Sequence, residues 1–251
     1  MDTLSLVQQI RDYDPALVIN IVDFVFVPCS EDKEGKYKYI RAMPAPGTNT
    51  IPEDTFDDNT TLEWVIIDDS VKTIGNGAFA CCSNLIHVII PNSVKNIGDS
   101  TFDGCSSLTQ VTIPNSVETI GNDAFYWCTS LTHAIIPNSV KNIGARTFYG
   151  CEKLTHLDIP NSVPCIDYYA FYWCTSLTHI IIPDSVETIG YCAFYGCAGL
   201  TKVVISNSVK TIDIYAFKHC PSIKKVYIPK HLEEEVNFSV MFPEHTKIIV
   251  R

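Results

Sequence analysis

A leucine or isoleucine returns every 23 residues, at Leu62, Leu85, Leu108, Leu131, Leu154, Leu177, Leu200 and Ile223, with no insertion between them. Phenylalanine keeps the same step from Phe56 through Phe79, Phe102, Phe125, Phe148, Phe171 and Phe194 to Phe217. Cysteine follows at Cys82, Cys105, Cys128, Cys151, Cys174, Cys197 and Cys220. A fixed period of this length means that one small unit is copied and stacked, because a unit this short cannot bury its own apolar side alone. Such a chain folds as one elongated array in which each copy covers the next.

Within a unit such as Leu131 to Cys151, the segment Leu131-Thr132-His133-Ala134-Ile135-Ile136 fits L-x-x-L-x-L and reads as a short strand ended by Pro137. The rest returns the chain to the next strand. Val140, Ile143, Phe148 and Cys151 are its inward positions, and Gly144, in a column reading Gly, Gly, Gly, Gly, Asp, Gly, Asp, is expected to supply a turn with positive φ. Parallel strands lie about 4.8 Å apart, so eight units span roughly 35 to 40 Å. A strand and its return path differ in width, which curves the stack. The expected fold is a right-handed leucine-rich-repeat solenoid with a curved parallel β-sheet on its concave face, short turns or 3-10 segments on its convex face, and a cap at each end.

The longer pattern I-P-x-S-V-x-x-I-G-x-x-A-F-x-x-C-x-x-L runs through residues 62 to 228, as in Ile113-Pro114-Asn115-Ser116-Val117-Glu118-Thr119-Ile120-Gly121 followed by Ala124-Phe125 and Cys128. In this the chain resembles the BspA-like, Treponema pallidum-type leucine-rich repeats. The resemblance implies a solenoid that binds proteins or surface ligands, in bacteria often as an exported adhesin, and it brings no catalytic residues with it.

The outermost faces of a repeat array need covers. Residues 1–38 are expected to form an N-terminal cap, with Leu4, Val7 and Ile10 at helical spacing and a hairpin between Val22–Val27 and Lys36–Arg41. Residues 39–61 read as a degenerate first repeat, 62–229 as the solenoid, and 230–251 as a C-terminal cap with a short helix over His231 to Phe238 and a closing strand over Lys247 to Val250. Capped at both ends, the chain is expected to be complete. It starts without the basic segment and cleavage site of a secretory signal, and its longest apolar stretch, Ala16 to Val27, is interrupted by Asn20 and Asp23, so no membrane insertion is expected. The cysteine column reads as a buried, reduced ladder, because in-register side chains point the same way and bridge poorly. Free thiols favour a reducing compartment, so the expected location is cytoplasmic, or extracellular if a longer precursor was trimmed. Cys29, Cys81, Cys165 and Cys192 fall outside the ladder and are the expected reactive thiols.

A formal net charge of -10 argues against nucleic acid, which demands clustered Lys and Arg. Residues 1 to 60 hold eleven acidic and five basic side chains, which reads first as a solvated cap. No phosphate loop, zinc-protease helix or nucleophile elbow is present, and in the adjacent pair His219-Cys220 the cysteine belongs to the core column. An enzyme is therefore not expected, nor a cofactor.

Strand alternation sends two residues of each unit onto the concave face. The first column reads Trp64, His87, Gln110, His133, His156, His179, Lys202, Lys225, and the second Ile66, Ile89, Thr112, Ile135, Asp158, Ile181, Val204, Tyr227. Isoleucines on a solvent-facing column, beside Trp64 and Tyr227, point to an interaction patch, although β-branched residues also simply favour strands. The candidate binding residues are Trp64, Ile66, His87, Ile89, Gln110, His133, Ile135, His156, Asp158, His179, Ile181, Lys202 and Tyr227. His133, His156 and His179 on adjacent rungs are placed to share a zinc ion in pairs, or to repel when protonated below about pH 6. Polar surface is the plainer reading, and no metal site is expected. On the convex side Tyr126, Tyr149, Tyr172 and Tyr195 form a column, and each of Trp127 and Trp173 is expected to lie over a neighbouring glycine. The function these features favour is a non-catalytic scaffold that holds a protein partner on the concave face, as a monomer or weak homo-oligomer. An exported adhesin and a self-associating structural protein are the alternatives.

Overall fold

A computed structural model describes residues 19–21, 24–26, 30–31, 37–44, 48–233 and 238–251 of the chain. A typical unit contributes one front strand and one two-residue back strand, joined by turns. The front strands Tyr37–Pro44, Trp64–Ile67, His87–Ile89, Gln110–Thr112 and His133–Ile135 pair in parallel, one repeat apart, so that Trp64 faces His87 and Gln110 faces His133. Burial alternates residue by residue in Trp64–Ile67, His87–Ile89, Gln110–Thr112 and His133–Ile135, which is the period of a strand covered on one side only. The back strands, from Thr50–Ile51 through Thr119–Ile120 to Thr211–Ile212, form a second parallel sheet of eight.

Between the sheets lies a core made of columns. The rings of Phe56 to Phe217 stack at 4.8 to 5.6 Å, and Phe242 closes the ladder 5.3 Å beyond Phe217. The repeated leucines and the ladder cysteines are buried beside them. Each ladder thiol donates to the carbonyl of a phenylalanine 26 residues earlier, as Cys105 does to Phe79 and Cys128 to Phe102, both at 3.2 Å. The column therefore packs as a small apolar residue whose S–H is also satisfied. All ten cysteines among the described residues are free thiols.

Of the turns or 3-10 segments expected on the convex side, the described repeats carry turns, together with the two-residue strands; one 3-10 turn, Lys230–Leu232, follows the last of them. The glycine column has a cause other than the one expected. Gly144 does not adopt positive φ; a Cβ there would lie 2.8 Å from the Asn122 amide nitrogen and 2.9 Å from the Gly121 carbonyl carbon. Successive turns stack too tightly for a side chain at this point. The positive φ falls instead at two other turn positions, one of which holds Trp127 and Trp173, at φ 52 and 58. Those indoles do rest on neighbouring glycines: a Cβ on Gly150 would meet Trp127 at 3.0 Å, and one on Gly196 would meet Trp173 at 2.2 Å.

One repeat interrupts the array. His156 joins the front sheet by a single bridge to His133, and the front strands resume only at His179–Ile181, in a separate sheet with Lys202–Val204, Lys225–Ile228 and Lys247–Val250. This repeat carries Asp158 where its neighbours place isoleucine, and Asp is poorly suited to strands. It also carries Pro164. The equivalent residues Lys95, Glu118, Lys141, Glu187 and Lys210 each donate their amide to the previous unit, and proline has no amide to give. The back sheet accordingly narrows there to one residue pair, Ile143 with Ile166.

At the N-terminal end, Phe24–Phe26 runs antiparallel to Ala42, Met43 and Pro44, and Ile19–Ile21 adds a further antiparallel strand. Ser30–Glu31 pairs with the start of Tyr37–Pro44. The helix expected through Leu4, Val7 and Ile10 lies outside the described residues, as does Cys29. At the other end Lys247–Val250 does close the front sheet, parallel to Lys225–Ile228. In place of one helix over His231 to Phe238 there is the 3-10 turn and a single α-turn, Phe238–Met241, with residues 234–237 outside the described set.

Candidate recognition surface

The front strands set their first and third residues outward because the second, and the fourth where there is one, are held by the core. All thirteen candidate residues project from this one face, and its character changes along the stack. At the first rungs Trp64 and His87 bring their rings to 4.0 Å and are half-buried, as are Ile66 and Ile89. Burial pushes the His87 imidazole below histidine's ordinary range. Gln110, His133, Ile135, His156, Asp158, His179, Ile181 and Lys202 are exposed, and Tyr227 is half-buried.

Two features stand out in the middle. Ile135 and Ile181 are 62% and 59% exposed, more than any other large apolar side chain among the described residues. They flank the interrupted rung, where His156 Nε2 lies 3.4 Å from Asp158 Oδ2 and the His156 and His179 rings are 5.2 Å apart. Among the described residues no three His, Cys, Asp or Glu side chains come together in a cluster that could hold a metal ion. Just before this rung a hollow of about 480 Å³ is lined by His87, Ile89, Gln110, Thr112 and Ile135, and by Asn92, Asn115 and Pro137 from the loops that follow the strands. It opens where Thr112, shorter than the isoleucines on either side, breaks the second column. Thr112 and the loop residues were not among the candidates; threonine in an isoleucine column was the available signal.

At the last rungs the first column becomes Lys202, Lys225 and Lys247. The Lys202 ammonium sits 5.5 Å from the centre of the Tyr227 ring.

The convex tyrosines stack at 4.8, 4.6 and 4.9 Å from Tyr126 to Tyr195, and His219 continues the column. His219 is exposed, but Cys220 is buried with its thiol donating to the Phe194 carbonyl at 3.1 Å, so the two do not form a nucleophile and base pair. The thiols expected to react are less available than their place outside the ladder implied. Cys192 is buried; Cys81 is exposed, yet partial burial and the carboxylates of Asp103, Asp57 and Asp58 raise its pKa; burial and Asp167 raise that of Cys165. Each favours the unreactive thiol form. In the ladder itself burial pushes Cys82 up to about 12.

Among the described residues no helix is long and apolar enough to cross a membrane. Comparison with curated protein sequences finds no match. A leucine-rich repeat protein of T. pallidum is similar in structure over 72% of this chain and 90% of its own length, with 25% sequence identity and a TM-score of 0.60. One from Eubacterium ventriosum matches 82% of this chain and 70% of its own, at 21% identity and TM-score 0.53. The pneumococcal vaccine antigen PcpA matches 94% and 82%, at 17% identity and TM-score 0.50. The last two share the fold alone. The BspA type leucine rich repeat region matches this sequence in six copies over residues 42–154 and 141–242, so the chain belongs to the BspA-type leucine-rich repeat family.

Proposed function

We propose that the chain is a non-catalytic recognition module that holds a protein partner on its front strand face. The observation that carries this reading is the exposure of Ile135 and Ile181 on front strands either side of the interrupted rung, where the exposed neighbours Gln110, His133, His156, Asp158, His179 and Lys202 are polar. Isoleucine suits a strand, but threonine does too, as Thr112 shows, so strand preference alone does not call for an apolar side chain in water. Covering both isoleucines would contribute about 2 to 4 kcal/mol, enough to make them anchors of an interface. The hollow beside Thr112 gives a partner's side chain a place to enter. Membership of a repeat family that serves as a binding scaffold supports the same reading.

The test is affinity capture from the native cell extract with the wild-type chain and with a variant carrying Ile135→Glu, His156→Glu and Ile181→Glu. All three positions are exposed, so the variant is expected to melt within a few degrees of wild type. Proteins captured by wild type and lost with the variant support the front face; equal recovery from both sinks it.

A further inference from the structure

Unlike charges on neighbouring repeats are brought together along the back of the molecule: Lys95 with Glu118 at 3.7 Å, Arg146 with Asp123 at 2.8 Å, and Lys210 with Glu187 at 2.7 Å. The front face does the opposite at its C-terminal end. Lys202 is in register with Lys225, and Lys225 with Lys247, on strands about 4.8 Å apart. All three are exposed, and none has a carboxylate within ion-pair distance among the described residues. Like charges side by side on adjacent strands repel. The column beside them is apolar, with Val204, Tyr227 and Ile249 half-buried. Residues 201 to 251 hold eight basic and five acidic side chains, whereas the remaining 200 residues hold ten basic and 23 acidic. The C-terminal end is thus cationic on an anionic chain, and three of its eight basic side chains, Lys202, Lys225 and Lys247, line up on the front face.

We propose that these last three rungs form a subsite for an acidic helical segment of the partner, lying along the stack with its carboxylates on Lys202, Lys225 and Lys247 and its apolar side on Val204, Tyr227 and Ile249. The proposal rests on the front face being the recognition surface. The helical form follows from spacing. A helix presents side chains on one line every turn, about 5.4 Å, close to the rise between rungs. An extended chain returns to the same side about every 6.6 Å and falls out of step. Extended polyphosphate fits poorly, because beyond this patch it would run along a chain that is itself net anionic, and it has nothing for the apolar column.

The test uses fluorescence anisotropy with three labelled probes: a 16-residue alanine-rich helix carrying Glu at i, i+4 and i+7 with Leu beside them, its counterpart with Gln for each Glu, and a 16-nucleotide oligothymidine. Wild type is compared with a Lys202→Gln, Lys225→Gln, Lys247→Gln variant and with an Ile135→Glu, Ile181→Glu variant. Wild type is expected to bind the Glu helix at least tenfold more tightly than the Gln helix, and more weakly as salt rises from 50 to 300 mM. The lysine variant is expected to lose that preference and the isoleucine variant to keep it. Equal binding of the two helices, no binding of either up to 1 mM, a preference that survives in the lysine variant, or tighter binding of the oligonucleotide would each overturn the subsite. Captured partners separate the two levels of the argument. A partner lost with the isoleucine variant but kept by the lysine variant leaves the front face standing without this subsite; a partner kept by both removes the face itself.

Discussion

At Gly121 one methyl group decides whether two turns can stack: a Cβ would lie 2.4 Å from Asp99 Oδ1, 2.5 Å from the Asp99 amide nitrogen and 2.6 Å from the Gly98 carbonyl carbon. Those amides are tied by a side-chain ladder in which Asn76 Oδ1 accepts from Asp99 and Asp99 Oδ1 from Asn122, so the backbone cannot step aside cheaply. Gly121→Ala is expected to cost about 2 kcal/mol, read as a lower urea midpoint. Asp103 gives a pH test. Burial, then Asp123 and Asp57, push its carboxyl up to about 6 from an ordinary 3.8. Below 3.8 it is protonated folded or unfolded. As pH rises from 3.8 to 6 the unfolded chain ionises first and stability is lost, and above 6 the loss is complete. Asp103→Asn is expected to stabilise by about 1 kcal/mol at pH 7.5, the shift being discounted for partial exposure, and to change little at pH 3.5. Calorimetric melts at the two pH values check this; equal effects at both would count against it. At this scale the sequence marked the glycine column but not its reason, since a residue that needs φ above zero and one that needs empty space look alike as letters. Cys192 makes the same point: lying outside the ladder does not make a cysteine exposed.

The period makes the strands legible. Each front strand begins two residues after its leucine, apart from the repeat beginning at Leu154, because stacking at constant rise permits no other register. The two-residue back strands were not legible, being too short to show a period of their own. The interrupted rung is at most half visible in the letters: Asp158 stands in an isoleucine column and Pro164 in a charged one, but only the pairing shows that both sheets thin at the same repeat. Amides of Leu157 and Ile159 are expected to exchange faster than those of Ala134, Ile136, Ile180 and Ile182. Asp158→Ile is expected to slow them and to stabilise the chain by about 1 kcal/mol, as a strand-favouring side chain replaces a disfavoured one. Exchange at Leu157 that already matches Ala134 in the wild type would show that the interruption has no energetic weight.

As a whole the molecule is one-dimensional, so its stability is close to a sum of units and of contacts between neighbours. Phe125 touches both adjacent rings, 5.4 Å away on either side. Phe125→Ala is expected to cost about 3 to 5 kcal/mol and to split a single melting transition in two, since the thin repeat beyond it already weakens the link between halves; one unbroken transition would contradict a weak junction. The front face was legible as a surface because alternation fixes which residues point outward. Its gradient, from aromatic through isoleucine to lysine, was only partly so. Lys225 was seen in its column, but Lys247 belongs to a closing strand outside the period, and its register joins the row only in three dimensions. Whether this face receives the partner is read from hydrogen exchange of the chain alone and with its captured partner bound. Slowed exchange confined to front-strand peptides, those carrying residues 133 to 135, 179 to 181 and 202 to 204 above all, is the result expected. Protection centred on Tyr126, Tyr149 and Tyr172, or on residues 1 to 60, with the front strands unchanged, would contradict it.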